Sequence, residues 1–176
     1  QYRLLHHFHR FFGDDLHRLN NEFIFEFLED ESGRIWIATA GTGISLYDPA
    51  TGHISRMETG MAQKMEGFGK RLALGKAPHT LWVATGGAGL FAVDMRSLKI
   101  TNHFTTQNSP LTHDFVTDIH IDSIGTLWLA TDGGGISVFS PPQNSWDQYR
   151  YSSQRPGSLN SDAIYTLLED HEQNLW

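Results

Sequence analysis

Short apolar runs, each too brief for a helix, recur along this chain between turn-forming residues. Phe23-Ile-Phe-Glu-Phe-Leu28 is aromatic and branched and predicts a strand. Asp30-Glu-Ser-Gly33 is a turn signal. Ile35-Trp-Ile-Ala-Thr39 is continuously apolar, which predicts a strand buried on both faces. Gly41-Thr-Gly43 turns the chain into a third strand, Ile44 to Tyr47. Asp48-Pro-Ala-Thr-Gly52 turns it again into a weaker fourth strand, His53 to Met57. The order returns later: strands over 116–121, 127–131, 136–139 and 146–151, with Asp122-Ser-Ile-Gly125 as the first turn.

The recurrence is periodic. Trp36, Trp82, Trp128 and Trp176 stand 46, 46 and 48 residues apart. The first three open the phrases W-I-A-T-A-G-T-G-I, W-V-A-T-G-G-A-G-L and W-L-A-T-D-G-G-G-I, with Trp, Ala, Thr and two Gly constant. A tandem repeat of this length is one supersecondary unit that buries its apolar face only against its neighbours. Four short antiparallel strands in about 45 residues make a blade of a β-propeller. The predicted fold is therefore all-β, a partial β-propeller of four-stranded antiparallel blades, with about 3.5 blades present. Residues 1–12 read as the last strand of a preceding blade, 22–58, 68–105 and 115–151 as blades, and 163–176 as the start of a further one. Both ends fall inside a repeat, so the expectation is a segment of a longer propeller.

Two copies depart from the pattern. In the second, counting from Trp82, Lys76 and His79 replace Asp30 and Gly33, with Pro78 between them. Proline fixes φ and so permits a turn there. The fourth keeps Asp170 and Leu175-Trp176 but has Gln173 in place of Gly33. The connections Leu19-Asn-Asn-Glu-Phe-Ile24, Leu111-Thr-His-Asp-Phe-Val116 and Leu159-Asn-Ser-Asp-Ala-Ile164 align without gaps, whereas Thr59 to Gly69 lacks their pattern.

Most repeated residues read as scaffold. The tryptophans, flanked by Ile, Val or Leu, fill the space between blades. Ala38, Ala84 and Ala130 let neighbouring blades approach, and Thr39, Thr85 and Thr131 satisfy backbone groups at strand ends. Gly86-Gly87-Ala88-Gly89 and Gly133-Gly134-Gly135 join two strands, whereas a phosphate loop runs into a helix; Gly43, Gly89 and Gly135 supply the positive φ of a hairpin.

Composition removes whole classes of function. A net charge of −7 with no Lys/Arg run beyond two residues offers no nucleic-acid surface. No apolar stretch approaches the ~20 residues of a membrane span. The absence of Cys excludes disulfides and thiolate metal sites. Among ten histidines, His6, His7 and His9 are the densest group, but only His7 and His9 share a strand face, and no known ligand spacing appears. No metal site and no cofactor is expected. His120 is the more interesting histidine, because the first strand of a blade lines the central channel. Glu29-Asp30 and Glu169-Asp170 recur at one turn, which marks them as turn residues rather than a glycosidase pair.

What remains is the rim shared by the fourth-to-first connections and the second-to-third hairpins. Variable polar loops on a repeated scaffold are the usual place for binding. The candidate ligand-binding residues are Asn20, Asn21, Asn108, His113, Asp114, Asp132, Arg155, Asn160 and Asp162, together with His120 in the channel. No catalytic residue is assigned.

The series Asp30, Gly33, Trp36, Thr39, Gly43, Tyr47 and its counterpart Asp122, Gly125, Trp128, Thr131, Gly135, Phe139 resemble the two-component regulator propeller repeat. A sialidase-type Asp-box is one residue shorter, and the Trp-Asp pair of WD repeats is missing. Asp48-Pro-Ala-Thr-Gly52 alone is similar to a quinoprotein turn, without the Trp that follows there. The resemblance implies a periplasmic, extracytoplasmic sensor module of an inner-membrane bacterial receptor. Its output would be a histidine kinase or a diguanylate cyclase, and its ligand a carbohydrate or other small polar molecule. The class-distinct alternatives are a carbohydrate-active propeller enzyme (lyase or glycosidase) and a protein-binding scaffold propeller. The remaining blades of the same chain are the implied partners, and incomplete blade faces predict self-association.

Overall fold

The computed structural model describes Leu19 and residues 23–41, 43–57 and 68–176, with backbone only at 68–70. Its twelve strands form three four-stranded antiparallel sheets in simple up-and-down order. The first holds β1 (Ile24–Glu29), β2 (Ile35–Thr39), β3 (Ile44–Asp48) and β4 (His53–Arg56). The second holds β5 (Phe68–Leu74), β6 (Thr80–Gly86), β7 (Leu90–Asp94) and β8 (Lys99–Phe104). The third holds β9 (Val116–Ile121), β10 (Leu127–Thr131), β11 (Gly135–Ser140) and β12 (Ser145–Tyr149). The first strand β5 adjoins both β1 and β9. The all-β propeller reading of the sequence therefore holds. The expected strand over 1–12 and the histidines within it lie outside the described residues.

Burial follows strand position. The second and third strands of every sheet are almost wholly buried, whereas the outer strand β12 is mostly exposed. Successive side chains alternate between faces, so each second strand feeds two interfaces. Trp36 and Ala38 of β2 pack with Leu72, Leu81, Val83 and Phe91 of the following sheet. Trp82 and Ala84 of β6 pack with Val116, Leu127, Leu129 and Phe139 of the sheet after that. The large ring fills the gap and the small alanine admits the neighbour. After β12 the chain forms a hairpin, in which Leu168 and Trp176 exchange two backbone bonds and Glu169 bridges Leu175.

One polar contact recurs beneath this packing. Asp30 Oδ1 accepts the Ser32 and Arg34 amides across the turn, while Oδ2 accepts the Trp36 indole N–H at 3.0 Å. Asp122 does the same with Ile124, Thr126 and Trp128, and Asp170 with Glu172, Asn174 and Trp176. One carboxylate thus closes the hairpin and accepts the indole N–H, which is buried at Trp36, partly buried at Trp128 and exposed at Trp176. The last turn residue has φ of 76° at Gly33, 91° at Gly125 and 66° at Gln173, the region glycine enters without strain.

The second sheet solves the turn differently. Counting from Trp82 puts Lys76 in the place of Asp30, yet in the structure Gly75 donates to Thr80 O (2.8 Å) as Asp30 donates to Arg34 O (2.9 Å). The turn is one residue longer, with His79 at φ 60°. Pro78 stands where Ser32 stands in the first copy and has no amide to give a carboxylate. The hairpin survives, but the carboxylate–indole contact is absent.

The three carboxylates are held below the ordinary Asp value. At Asp30 and Asp122 burial works to raise the pKa, but the indole and turn hydrogen bonds together outweigh it. At Asp170 the Trp176 indole bond leads, followed by the Asn174 amide, and lowers the carboxyl to about 2. A carboxyl depressed in the folded state contributes stability above its unfolded value of ~4, and that stability is lost as pH falls through the folded value. The melting temperature of the chain should fall steadily from pH 4 toward pH 2, and in Asp30→Asn the fall should be smaller. An acid limb of equal steepness in both proteins would show that this carboxylate plays no part in it.

Candidate functional site

The rim is built from glycine hairpins locked to the connections that follow them. Thr85 Oγ1 donates to Gly89 O (2.8 Å) and accepts the Ala88 amide, and Thr131 Oγ1 does the same with Gly135 O and the Gly134 amide. These hydroxyls close the hairpins between second and third strands. The two hairpin glycines then aim their amides outward. Gly87 and Gly89 both donate to Asp114 O, and Gly133 and Gly135 both donate to Asp162 O. The isolated bridges Gly86↔Phe115 and Asp132↔Ala163 extend each lock. Hairpin and connection therefore share one rim, as the repeat geometry implies.

These locks sort the candidate residues. Asp114 accepts the Thr106 amide and hydroxyl, and Asp162 accepts the Tyr151 amide, so both carboxylates pin the outer-strand exit to the connection. Asn108 closes its own loop through Thr105 N and His103 O. His113 Nδ1 accepts the Phe115 amide, leaving the rest of an exposed ring to solvent. Asp132, Arg155 and Asn160 are exposed, and their side chains make no hydrogen bond among the described residues. Asn20 and Asn21 lie outside the described residues. The rim thus offers a carboxylate, a guanidinium, a carboxamide and an imidazole edge, a set able to donate to and accept from a polar ligand.

His120 stands apart, on the inner strand β9. Its Nε2 lies 2.6 Å from Glu169 Oε2, a half-buried pair that ties β9 to the terminal hairpin. Reading the residues one repeat at a time missed a related set. Glu26 of β1 bonds the Leu72 amide of β5, and Asp118 of β9 bonds the Leu167 amide and Thr166 hydroxyl beyond it. Glu26, Arg71 and Asp118 occupy one repeat position, paired with Ala38, Ala84 and Ala130 of the second strands, a correspondence that counting back from Trp82 misses by one residue. Arg71 lies 3.8 Å from Asp118. Burial pushes the Glu26 carboxyl above its ordinary value, against the Leu72 amide and Arg71, and the Asp118 charge adds to the rise. Among the described residues no group of three His, Cys, Asp or Glu is spaced to hold a metal ion.

Comparison with known proteins agrees with this scaffold. The two-component regulator propeller family matches residues 18–41 and 110–133, the stretches that run from a connection through the first hairpin into the glycine turn. The solved extracellular domain of a hybrid two-component system from B. thetaiotaomicron is 26% identical with a TM-score of 0.72, over 90% of this chain and 20% of that one. A second such domain, described as a one-component system of the same organism, is 20% identical with a TM-score of 0.67, over the same shares. PorZ, a surface component of the type-IX secretion system of Porphyromonas gingivalis, is 16% identical with a TM-score of 0.69, over 94% of this chain and 24% of that one. No curated protein matches. The chain spans about one fifth of the length of the first solved structures it resembles. The two-component regulator propeller resemblance of the sequence thus stands, and the first neighbours are extracellular domains.

The lock has a sharp steric requirement. A Cβ at Gly135 (φ 74°) would overlap the carbonyl oxygen of Tyr149, whereas one at Gly52 (φ 72°) would meet nothing within 4 Å. Backbone strain is shared, so the difference isolates the close approach. Gly135→Ala should cost about 3 kcal/mol and Gly52→Ala about 1 kcal/mol in urea unfolding. Equal losses would show that strand contact at Gly135 is not what demands glycine.

Proposed function

We propose that this chain is part of a non-catalytic extracytoplasmic sensor propeller that binds an oligosaccharide on the rim around Asp132, Arg155 and Asn160. The observation that carries this reading is the rim itself. On a two-component regulator propeller scaffold, its repeated acids Asp114 and Asp162 are consumed by loop locking, while the side chains of Asp132, Arg155 and Asn160 are left to solvent. Sugar hydroxyls donate and accept at once, and a carboxylate, a guanidinium and a carboxamide answer both roles. A glycosidase would need two carboxyls facing one bond, and the neighbouring acids of this rim already serve backbone amides. In the receptor, further blades of the same protein complete the ring, and the bound sugar is reported through an inner-membrane span to a histidine kinase or diguanylate cyclase.

Calorimetric titration with a panel of defined oligosaccharides tests the rim. Arg155→Ala and Asp132→Ala should each weaken binding of the responding sugar about tenfold, or ~1.4 kcal/mol, without moving the melting temperature. Unchanged affinity in both variants would refute the rim assignment. New reducing ends or unsaturated products from any of these sugars would favour the enzyme alternative.

Association follows from the same architecture. Phe23 and Phe27, at and within the first strand, and Tyr165, Leu168 and Trp176, beyond the third sheet, are exposed apolar side chains. At micromolar concentration, light scattering should return a mass above that of one chain. A monomer unchanged by dilution would mean these surfaces are adequately solvated as they stand.

A further inference from the structure

At the end of the blades opposite the glycine hairpins, a cavity of about 610 Å³ opens between the second and third sheets. Its apolar wall is made by Trp82, Phe104 and Phe139; Lys76, Asn102 and Asn144 supply polar groups. The three rings pack on one another, Trp82 edge-on to Phe139 at 6.0 Å and Phe104 against Phe139 at 5.0 Å, so the wall is rigid. The volume lies within the ~300–1,000 Å³ typical of small-molecule sites.

The polar side of the cavity has a specific deficit. Trp36, Trp128 and Trp176 each give their indole N–H to an aspartate of their own hairpin. Trp82, only 6% exposed, has no acceptor among the described residues. The residue that makes the hairpin bond of Asp30 is here Gly75, and a Cβ on it would lie 3.0 Å from Trp82 Nε1. The carboxylate that the repeat places beside the indole is therefore missing from the second sheet alone. An indole can only donate, so without a protein acceptor this N–H is left to solvent or to a ligand. Lys76, whose stem lies against Gly125 of the next sheet (3.0 Å from an added Cβ), brings a positive charge to the same cavity.

We propose that this cavity is a binding site for an aromatic monocarboxylate. The ligand's carboxylate takes the place of the absent aspartate, accepting from the Trp82 indole and facing Lys76, and its ring lies along Phe104 and Phe139. This site is on the other face from the sugar-binding rim and is independent of it.

Phenylacetate is the probe, with benzyl alcohol as the neutral ring of similar size. Calorimetry on the 176-residue chain should give one saturable site for phenylacetate with a Kd of about 0.1–1 mM, and none for benzyl alcohol. Trp82→Phe should weaken it about tenfold and Lys76→Gln about fivefold. Because Trp82 is buried, two further readouts stand apart from its folding. In ¹⁵N NMR the Trp82 indole N–H should move downfield on titration while those of Trp36 and Trp128 stay put. Asn102→Trp, at an exposed position of β8, should fill the cavity and abolish binding with the melting temperature retained. Absence of saturable phenylacetate binding would overturn the site. Equal binding of benzyl alcohol would overturn the carboxylate's role, and binding that survives Asn102→Trp would overturn the location. Arg155→Ala should leave phenylacetate binding unchanged, which keeps this test separate from that of the rim.

Discussion

The bond between an aspartate carboxylate and an indole N–H organises the first and third sheets. Burying a tryptophan fills the wide gap between two twisted sheets, but its N–H must be satisfied where water does not reach. The first hairpin lies next to that ring, and its own amides also need an acceptor. Asp30 meets both demands with its two oxygens. The turn is thereby coupled to the interblade core, so the hairpin cannot slip register without uncovering the indole. Asp122 and Asp170 repeat the arrangement, which makes it a rule of the fold rather than a local accident.

At the other end of the blades the coupling runs through the main chain. Paired glycine amides converge on one carbonyl of the following connection, at Asp114 and at Asp162. Side-chain carboxylates of the same two residues reach back to the outer strand's exit. A connection held this firmly can carry side chains of any kind between its fixed points. Arg155 and Asn160 occupy such free positions, and Asp132 sits on the hairpin beside them. Side chains that lock the scaffold and side chains left to solvent are thus separated residue by residue, which lets a repeated fold carry a variable surface.

The second sheet shows what happens when the rule lapses. There the turn is one residue longer, Gly75 stands in the place of the acid, and Pro78 lies within the lengthened turn. The apolar packing around Trp82 persists, so the sheet is kept while its indole has no acceptor among the described residues. Local departures from a fold's own rule are where function is most often found.

The amino-acid sequence by itself determined the period, the four strands of each blade and the side of the strand that Trp and Ala occupy. Those properties depend on local preference and on a pattern copied three times, so each copy corroborates the others. The role of Thr85 and Thr131 was legible for the same reason. The family's repeat was readable from residues such as Asp122, Gly125 and Trp128, which recur in register. Tertiary structure alone decided which polar groups meet. That Asp114 and Asp162 are spent on the Thr106 and Tyr151 amides depends on how the connection folds back on the outer strand's exit, which residue type alone does not specify. That Glu26 reaches the next inner strand depends on a contact between residues 46 apart, which meet only when sheets stack. The displaced turn at Gly75 was hidden likewise: counting from Trp82 assumes constant length, and only the hydrogen-bond ladder shows where the extra residue went.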